Sequence, residues 1–242
     1  MRIPRIYTNT KLKDKKIVEL NIDASNHILR VLRLKLNSPV ILFDGTNGEY
    51  SAVLDSVQNN KATLAIKEFH NINRESPLKI NLAQAVCRGD KMDYLIQKAV
   101  ELGVNKITPL ITEFCNVKLN NERWEKKQQR WQSIAISACE QCRRNVIPRI
   151  MQPVNITNFF DHNQKDLGLI LDPDAQHSLH QLNIKTDAIT IIIGPEGGLS
   201  NTELQQAQNH NYQKISLGPR IMRTETAGLA VISSLQTILG DF

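Results

Sequence analysis

Ile191-Ile192-Ile193-Gly194-Pro195-Glu196-Gly197-Gly198-Leu199-Ser200, and then Leu217-Gly218-Pro219-Arg220-Ile221-Met222-Arg223-Thr224-Glu225-Thr226-Ala227, place two glycine-proline turns close together near the C-terminus. Each turn follows a short apolar run of the kind that forms a buried strand. Each therefore falls where a strand of an α/β sheet ends, the usual position of a ligand crevice. Between the turns, Ser200 and Glu203 have the spacing of a capping box, which starts a helix ending near residues 209–211. The span from Gly194 to Gly218 leaves room for a crossover helix and a return strand running parallel. After the second turn Thr224 is placed to cap a final helix, in which Ala227, Val231, Leu235 and Ile238 recur at helical spacing. Residues 220–224 thus form a loop that feeds a helix N-terminus.

Upstream of these turns strands alternate with helices, the pattern of a largely parallel sheet covered on both faces. Strands are predicted over 79–86, 104–110, 167–171 and 188–193. Gly89-Asp90 offers an N-cap to a helix with Met92, Leu95, Ile96, Ala99 and Leu102 on one face, stopped by Gly103. A long helix spans about 121–144 and carries Trp124 and Trp131, which read as core or subunit-contact residues. The polar, proline-containing segment 71–77 marks a linker. Before it come a helix over 23–36 and short strands over 40–43, 50–57 and 62–69, the last two joined by Asn59-Asn60. That pattern is a small antiparallel, β-barrel-like module. The expected division is a module over 1–73 and an α/β domain over 74–242.

With 242 residues and 41% hydrophobic content, the chain can bury a sizeable core. No apolar run approaches the ~20 residues that cross a bilayer, and the opening residues lack a signal-peptide stretch, so the cytoplasm is expected. The four cysteines are too scattered for a disulfide scaffold. Cys139 and Cys142 form a CxxC inside a helical pattern with no second ligand pair, which reads as reduced, semi-buried thiols and no metal site. The formal net charge is +6, and residues 1–35 account for all of it, with nine basic residues against three acidic ones. A positive field confined to one end suits a phosphate backbone, because neutralising phosphates releases counterions. Lys11, Lys13, Lys15 and Lys16 read as solvated surface. Arginines, whose planar forks match phosphate, are the better contact candidates.

Glycines at 194, 197, 198 and 218 let backbone approach a flat ligand, and proline stiffens each loop. The second loop gathers Arg220, Arg223, Thr224, Glu225 and Thr226 beside apolar Ile221 and Met222, a costly arrangement unless it serves binding. No phosphate loop, dinucleotide fingerprint or nucleophile elbow is present, which removes the main support for nucleoside triphosphate, dinucleotide and hydrolase readings. The residues alone therefore describe an α/β enzyme with an apolar, backbone-rich pocket and a basic module for nucleic acid.

The chain resembles the RsmE family of 16S ribosomal RNA uridine-N3 methyltransferases, within the SPOUT superfamily of knotted S-adenosylmethionine enzymes. The likeness runs nearly the full length. It rests on Arg2-Ile3-Pro4-Arg5, the run from His27 to Arg33, Phe43-Asp44-Gly45, Gly89-Asp90-Lys91-Met92, Glu101-Leu102-Gly103-Val104, Glu140-Gln141-Cys142 and both glycine-proline turns. It implies a PUA-like N-terminal barrel, a C-terminal sheet tied in a trefoil knot, and a homodimer. Periodicity alone does not reach the knot, since chain threading is rare. The resemblance further implies that S-adenosylmethionine is held by Gly194, Pro195, Glu196, Gly197, Gly198, Leu217, Gly218, Ile221, Met222, Arg223, Thr224 and Thr226, with Leu171 from a third loop.

For the implied reaction, Arg220 or Arg223 would stabilise charge spreading onto the uracil carbonyl oxygens as N3 loses its proton. Glu225, or Glu196 at the other turn, is the candidate proton acceptor, with helix capping or pairing to arginine as the competing role of either carboxylate. N3 lies on the pairing edge, so the uridine must be unpaired, and recognition should rest on RNA shape and phosphates. Arg2, Arg5, Arg30, Arg33 and Arg144 are the expected contacts with 16S ribosomal RNA or the small ribosomal subunit. The rival readings are a non-catalytic RNA-binding protein, and a SPOUT enzyme acting on transfer RNA or a ribose 2′-hydroxyl.

Overall fold

The computed structural model describes residues 3–46, 48–115, 117, 119–162 and 166–242, His162 by its backbone alone. The chain divides into two compact units, one comprising residues up to 75 together with 139–147, the other 76–138 and 148–242.

The first unit is a five-stranded sheet built from β1 (Arg5–Tyr7), β2 (Ile17–Glu19), β3 (Pro39–Phe43), β4 (Glu49–Gln58) and β5 (Lys61–His70), in the order β1-β3-β4-β5-β2. β1 runs parallel to β3 and the other ladders are antiparallel. Asn59 and Asn60 join β4 to β5 with φ of 49° and 60°, the left-handed pair that a two-residue hairpin requires and asparagine tolerates. Inward residues such as Ile6, Leu42, Leu54 and Leu64 form one core with Leu12 and Ile28. The helix expected over 23–36 is shorter. Helix α1 (Ile22–Asn26) is capped by the Asn21 side chain, which accepts from the Ala24 N–H at 2.8 Å, and a π-helical turn continues it over His27–Val31. Left-handed φ at Arg33 (52°) and Asn37 (64°) turns the chain away while apolar spacing still continues. The strands β1 and β2, three residues each, are too short for periodicity to reveal.

The second unit is a seven-stranded sheet, all of whose ladders are parallel. Its elements are β6 (Lys79–Ala85), α2 (Lys91–Glu101), β7 (Lys106–Ile111), α3 (Asn121–Cys142), β8 (Arg149–Ile150), β9 (Val154–Asn155), α4 (Ile156–His162), β10 (Leu167–Leu171), β11 (Ala188–Ile193), α5 (Asn201–Asn209), β12 (Gln213–Ile215) and α6 (Thr224–Leu239), the last residues of α3 belonging to the first unit. The order is β12-β10-β11-β6-β7-β8, with β9 also on β7. Helices cover both faces, which is why β11 can be five consecutive buried residues, Ile189 to Ile193. Ile192 packs toward Phe159 and Phe160 of α4 and Ala207 of α5, while α2 and α6 pack against each other. Burying each such isoleucine contributes about 1.5–3 kcal/mol.

Three helix ends differ in detail from expectation. Asp90 precedes α2 but makes no side-chain cap bond. α3 ends at Cys142, two residues early, where Arg143 takes φ of 71°. Thr224 is the first residue of α6, not its cap, and its hydroxyl is used elsewhere. The Ser200–Glu203 box forms as expected: Ser200 N–H donates to Glu203 Oε2 at 2.8 Å, and Glu203 N–H to Ser200 Oγ at 3.3 Å.

Candidate functional site

A cavity of about 550 Å³ opens at the carboxyl ends of β10, β11 and β12. Three loops line it. The first follows β10 with Leu171, Asp172, Pro173 and Asp174; the second follows β11 with Gly194, Pro195, Glu196 and Gly198; the third follows β12 with Leu217, Gly218, Arg220, Ile221, Met222 and Arg223, ending at Thr224 on α6. Ile193, Leu199, Leu204, Ile215 and Ala227 complete apolar walls. Gly198 (φ +76°) and Gly218 (φ +90°) take left-handed conformations, and neither has an atom within 4 Å of where a Cβ would stand. Glycine is required there by backbone geometry rather than by crowding, and it leaves peptide groups bare to a ligand.

Of the residues assigned to this pocket from sequence, Gly197 and Thr226 lie outside its lining. Gly197 instead backs onto the Phe114 ring system, where a Cβ would stand 3.3 Å from Phe114 Cβ. Thr226 is exposed on α6. Arg220 and Arg223 are exposed and line the cavity, whereas Glu225 does not. Glu225 Oε1 lies 3.5 Å from Lys91 Nζ, and the same Nζ lies 3.5 Å from Glu196 Oε1. One ammonium at the start of α2 thus offsets the repulsion between the two carboxylates. Lys91 stood in the sequence directly after the glycine-aspartate turn; nothing in its spacing tied it to residues 196 and 225.

Cys87 lies near this cluster. Burial, with the charges of Glu196 and Glu225 adding to it, pushes its thiol up to about 12, so it stays neutral and un-nucleophilic. Thr224 Oγ1 donates to the Gly194 carbonyl at 2.6 Å and accepts from Gln84 Nε2 at 2.9 Å. Strand periodicity does not single out Gln84; the signal for it is a glutamine that breaks the otherwise apolar run Leu82-Ala83-Gln84-Ala85-Val86. Asp172 pairs with Lys214 at 3.2 Å.

The arginines assigned to RNA separate into two groups. Arg30 and Arg33 are exposed on the first unit. Arg5 and Arg144 are only 7% and 4% exposed, and both are committed to carboxylates. Arg5 donates to Glu49 Oε2 at 2.5 Å and to Asn145 Oδ1 at 2.6 Å, while its guanidinium lies over the Phe43 ring at 4.9 Å. Arg144 donates to both oxygens of Glu75. A guanidinium so engaged has no fork left to present, so these two are structural residues of the first unit, a correction to their expected role. Arg2 lies outside the described residues. Among the described residues no cluster of three metal-ligating side chains occurs, and no helix is long and apolar enough to cross a membrane.

Residues 74–236 match the RNA methyltransferase domain family, and residues 20–67 match the RNA methyltransferase PUA domain family. Among named relatives, the ribosomal RNA small subunit methyltransferase E of Buchnera aphidicola subsp. Schizaphis graminum is 37% identical, the alignment covering 99% of this chain and 98% of that one. The protein of the same name from Rickettsia conorii is 34% identical over 98% and 97%. Among solved structures, the ribosomal RNA small subunit methyltransferase E of Neisseria gonorrhoeae bound to S-adenosyl methionine is 39% identical, with both chains fully covered and a TM-score of 0.95. A Legionella pneumophila chain solved with bound cofactor SAM is 40% identical, again with full coverage, at a TM-score of 0.96.

Proposed function

We propose, because the chain belongs to the ribosomal RNA small subunit methyltransferase E family, that it methylates N3 of one uridine in 16S ribosomal RNA with S-adenosylmethionine as donor. The observation that carries the reading is the cavity of about 550 Å³ at the ends of β10, β11 and β12, walled by aliphatic side chains and bare peptide groups. Such a pocket fits a ligand with a flat base, an apolar thioether-like centre and polar ends. Leu171, Gly194, Pro195, Glu196, Gly198, Leu217, Gly218, Ile221, Met222, Arg223 and Thr224 would hold it. Glu196 and Asp174 bring negative charge to suit a cation, and Arg220 and Arg223 bring positive charge to suit a carboxylate or a uracil oxygen. When bound, the donor supplies a methyl group already activated on a sulfonium.

The rest of the chemistry falls to the protein's own side chains, which align the uracil edge and remove one proton. Either Glu196 or Glu225 accepts the N3 proton; Glu196 lines the cavity, and Glu225, outside the lining, shares Lys91 with it. Arg220 or Arg223 then meets the charge that spreads onto the carbonyl oxygens. The neutral Cys87 thiol argues against a covalent route through cysteine. Arg30 and Arg33 bind phosphate and bring the RNA in the cytoplasm to the enzyme.

The family resemblance also supports a trefoil knot and a homodimer. After β12 at one edge of the sheet, the chain returns to set α6 against β6 and β11 in its middle, the path a threaded loop requires. A second, apolar groove along α6 carries Leu217, Met222, Ala230 and Ile238, and the nearby Ile221 is 86% exposed; a second copy would cover such a face. Mass mapping of small-subunit RNA from cells lacking this protein tests the substrate. Loss of one N3-methyluridine is expected, and an unchanged signal would remove the proposal. Titration calorimetry with S-adenosylmethionine separates the enzyme from a cofactor-free RNA-binding protein.

A further inference from the structure

Gln84 is fully buried in β6, a central strand of a parallel sheet whose neighbouring positions are apolar. It stands in register opposite Ile193, one residue before the Gly194 turn. Its amide nitrogen donates to Thr224 Oγ1 at 2.9 Å and to the Ala85 carbonyl at 3.1 Å, with Cys87 Sγ at 3.8 Å as a longer, weaker acceptor. The orientation of the amide is fixed chemically, since its oxygen could not face the Ala85 carbonyl. Thr224 Oγ1 accepts from Gln84 on one side and donates its hydroxyl hydrogen to the Gly194 carbonyl at 2.6 Å on the other.

Two costs accompany this arrangement. Gln84 Oε1 is buried and finds no partner among the described residues. It faces Gly228, in the interior of α6, where a Cβ would come within 3.1 Å of it. A glycine inside a helix and an unpaired oxygen in a core are both disfavoured, and together they make room for one glutamine. Violations of local rules that coincide in space mark a site with a task.

We infer that Gln84 is a positioning residue of the cavity: by fixing the direction of the Thr224 hydroxyl, it holds the loop after β11 and the loop entering α6 at one separation. Thr224 and Gly194 both line the cavity; Gln84 lies behind them and touches no ligand. The inference rests on the proposal that this cavity binds S-adenosylmethionine.

The test is calorimetric titration of the full chain with S-adenosylmethionine, alongside thermal melting without it. Gln84→Leu keeps the volume and removes the donor. It is expected to raise Kd about tenfold and leave the cofactor-free melting temperature level or higher, since an unpaired oxygen is also removed. Thr224→Val should match that loss, Thr224→Ser should restore binding, and the double variant Gln84→Leu/Thr224→Val should be no worse than Thr224→Val alone. Gly228→Ala, which crowds Gln84 without altering a polar group, should weaken binding in the same direction. Wild-type Kd in Gln84→Leu, or losses that add in the double variant, would overturn the inference while the cofactor proposal stands. Absence of any binding by the wild-type chain would instead remove both.

Discussion

Arg5 and Glu49 form an ion pair across 2.5 Å with side chains only 5% and 9% exposed, and Arg74 completes it by donating to the same Glu49 oxygen at 2.8 Å. The same Arg5 guanidinium reaches Asn145, so one buried fork ties β1 to β4 and to the segment 139–147 inside the first unit. Truncating one partner of such a pair strands the other charge. Arg5→Met is therefore expected to lower stability by about 3–5 kcal/mol, as measured by urea denaturation followed by circular dichroism. A change below about 1 kcal/mol, the range of an exposed pair, would mean that this buried fork does not hold the first unit together.

The opposite behaviour is expected of Arg30 and Arg33. Both are exposed, and each phosphate they neutralise contributes roughly 0.7–0.9 to the slope of log affinity against log salt. The double variant Arg30→Ala/Arg33→Ala should flatten that slope by about 1–2 and leave the affinity for S-adenosylmethionine unchanged. Filter binding of small-subunit RNA across a salt series reads this directly, and an intact slope would mean that the two arginines touch no phosphate.

These arginines show how far the sequence could be read. The strands β10 and β11 are legible at their observed bounds because buried parallel strands are near-continuous apolar runs between turn residues. The Ser200–Glu203 box was equally plain, being a local pattern. The roles of Arg5 and Arg144 are not legible in sequence because their partners are distant: Glu49 lies 44 positions from Arg5, and Glu75 lies 69 from Arg144. An arginine beside its carboxylate and an arginine awaiting phosphate look alike until the chain folds. Thr224 failed for the same reason, its hydroxyl being claimed by Gly194, 30 residues away, in place of its own helix.

Acid should unsettle the first unit through Glu49 and Asp44. Burial alone would raise the Glu49 carboxyl, but hydrogen bonds from Arg74 and Arg5 outweigh it and hold it below its ordinary value. Asp44 behaves alike, with Thr46 and the Leu12 N–H overcoming burial. A carboxyl depressed by folding stabilises above its unfolded pKa of about 4, and the contribution is lost as pH falls through the folded value. Glu140 works in reverse: burial raises it, so its protonation favours the folded state just above that window. Urea midpoints between about pH 3 and 7 should therefore drop at the acid end, the drop should shrink in Glu49→Gln, and it should steepen in Glu140→Gln.

Gly218 offers a test that separates backbone strain from binding. Its φ of +90° would be strained for any side chain, yet nothing lies within 4 Å of where a Cβ would stand, so Gly218→Ala acts through the peptide path alone. Relaxation of that strain, about 1–2 kcal/mol, moves Leu217 and Arg220, both of which line the cavity. Gly45 is the control: it has φ of +81°, with only the Tyr7 ring edge at 3.7 Å, and lies in the first unit. Both alanine variants should melt a few degrees earlier, since about 1 kcal/mol shifts a chain of this size by roughly 2–4 °C. A saturating cofactor at a hundredfold excess over Kd adds about 2.7 kcal/mol of stability. Gly45→Ala should keep that full gain, whereas Gly218→Ala should lose most of it at the same concentration. Equal gains in the two variants would mean that the loop after β12 does not bear on the cofactor.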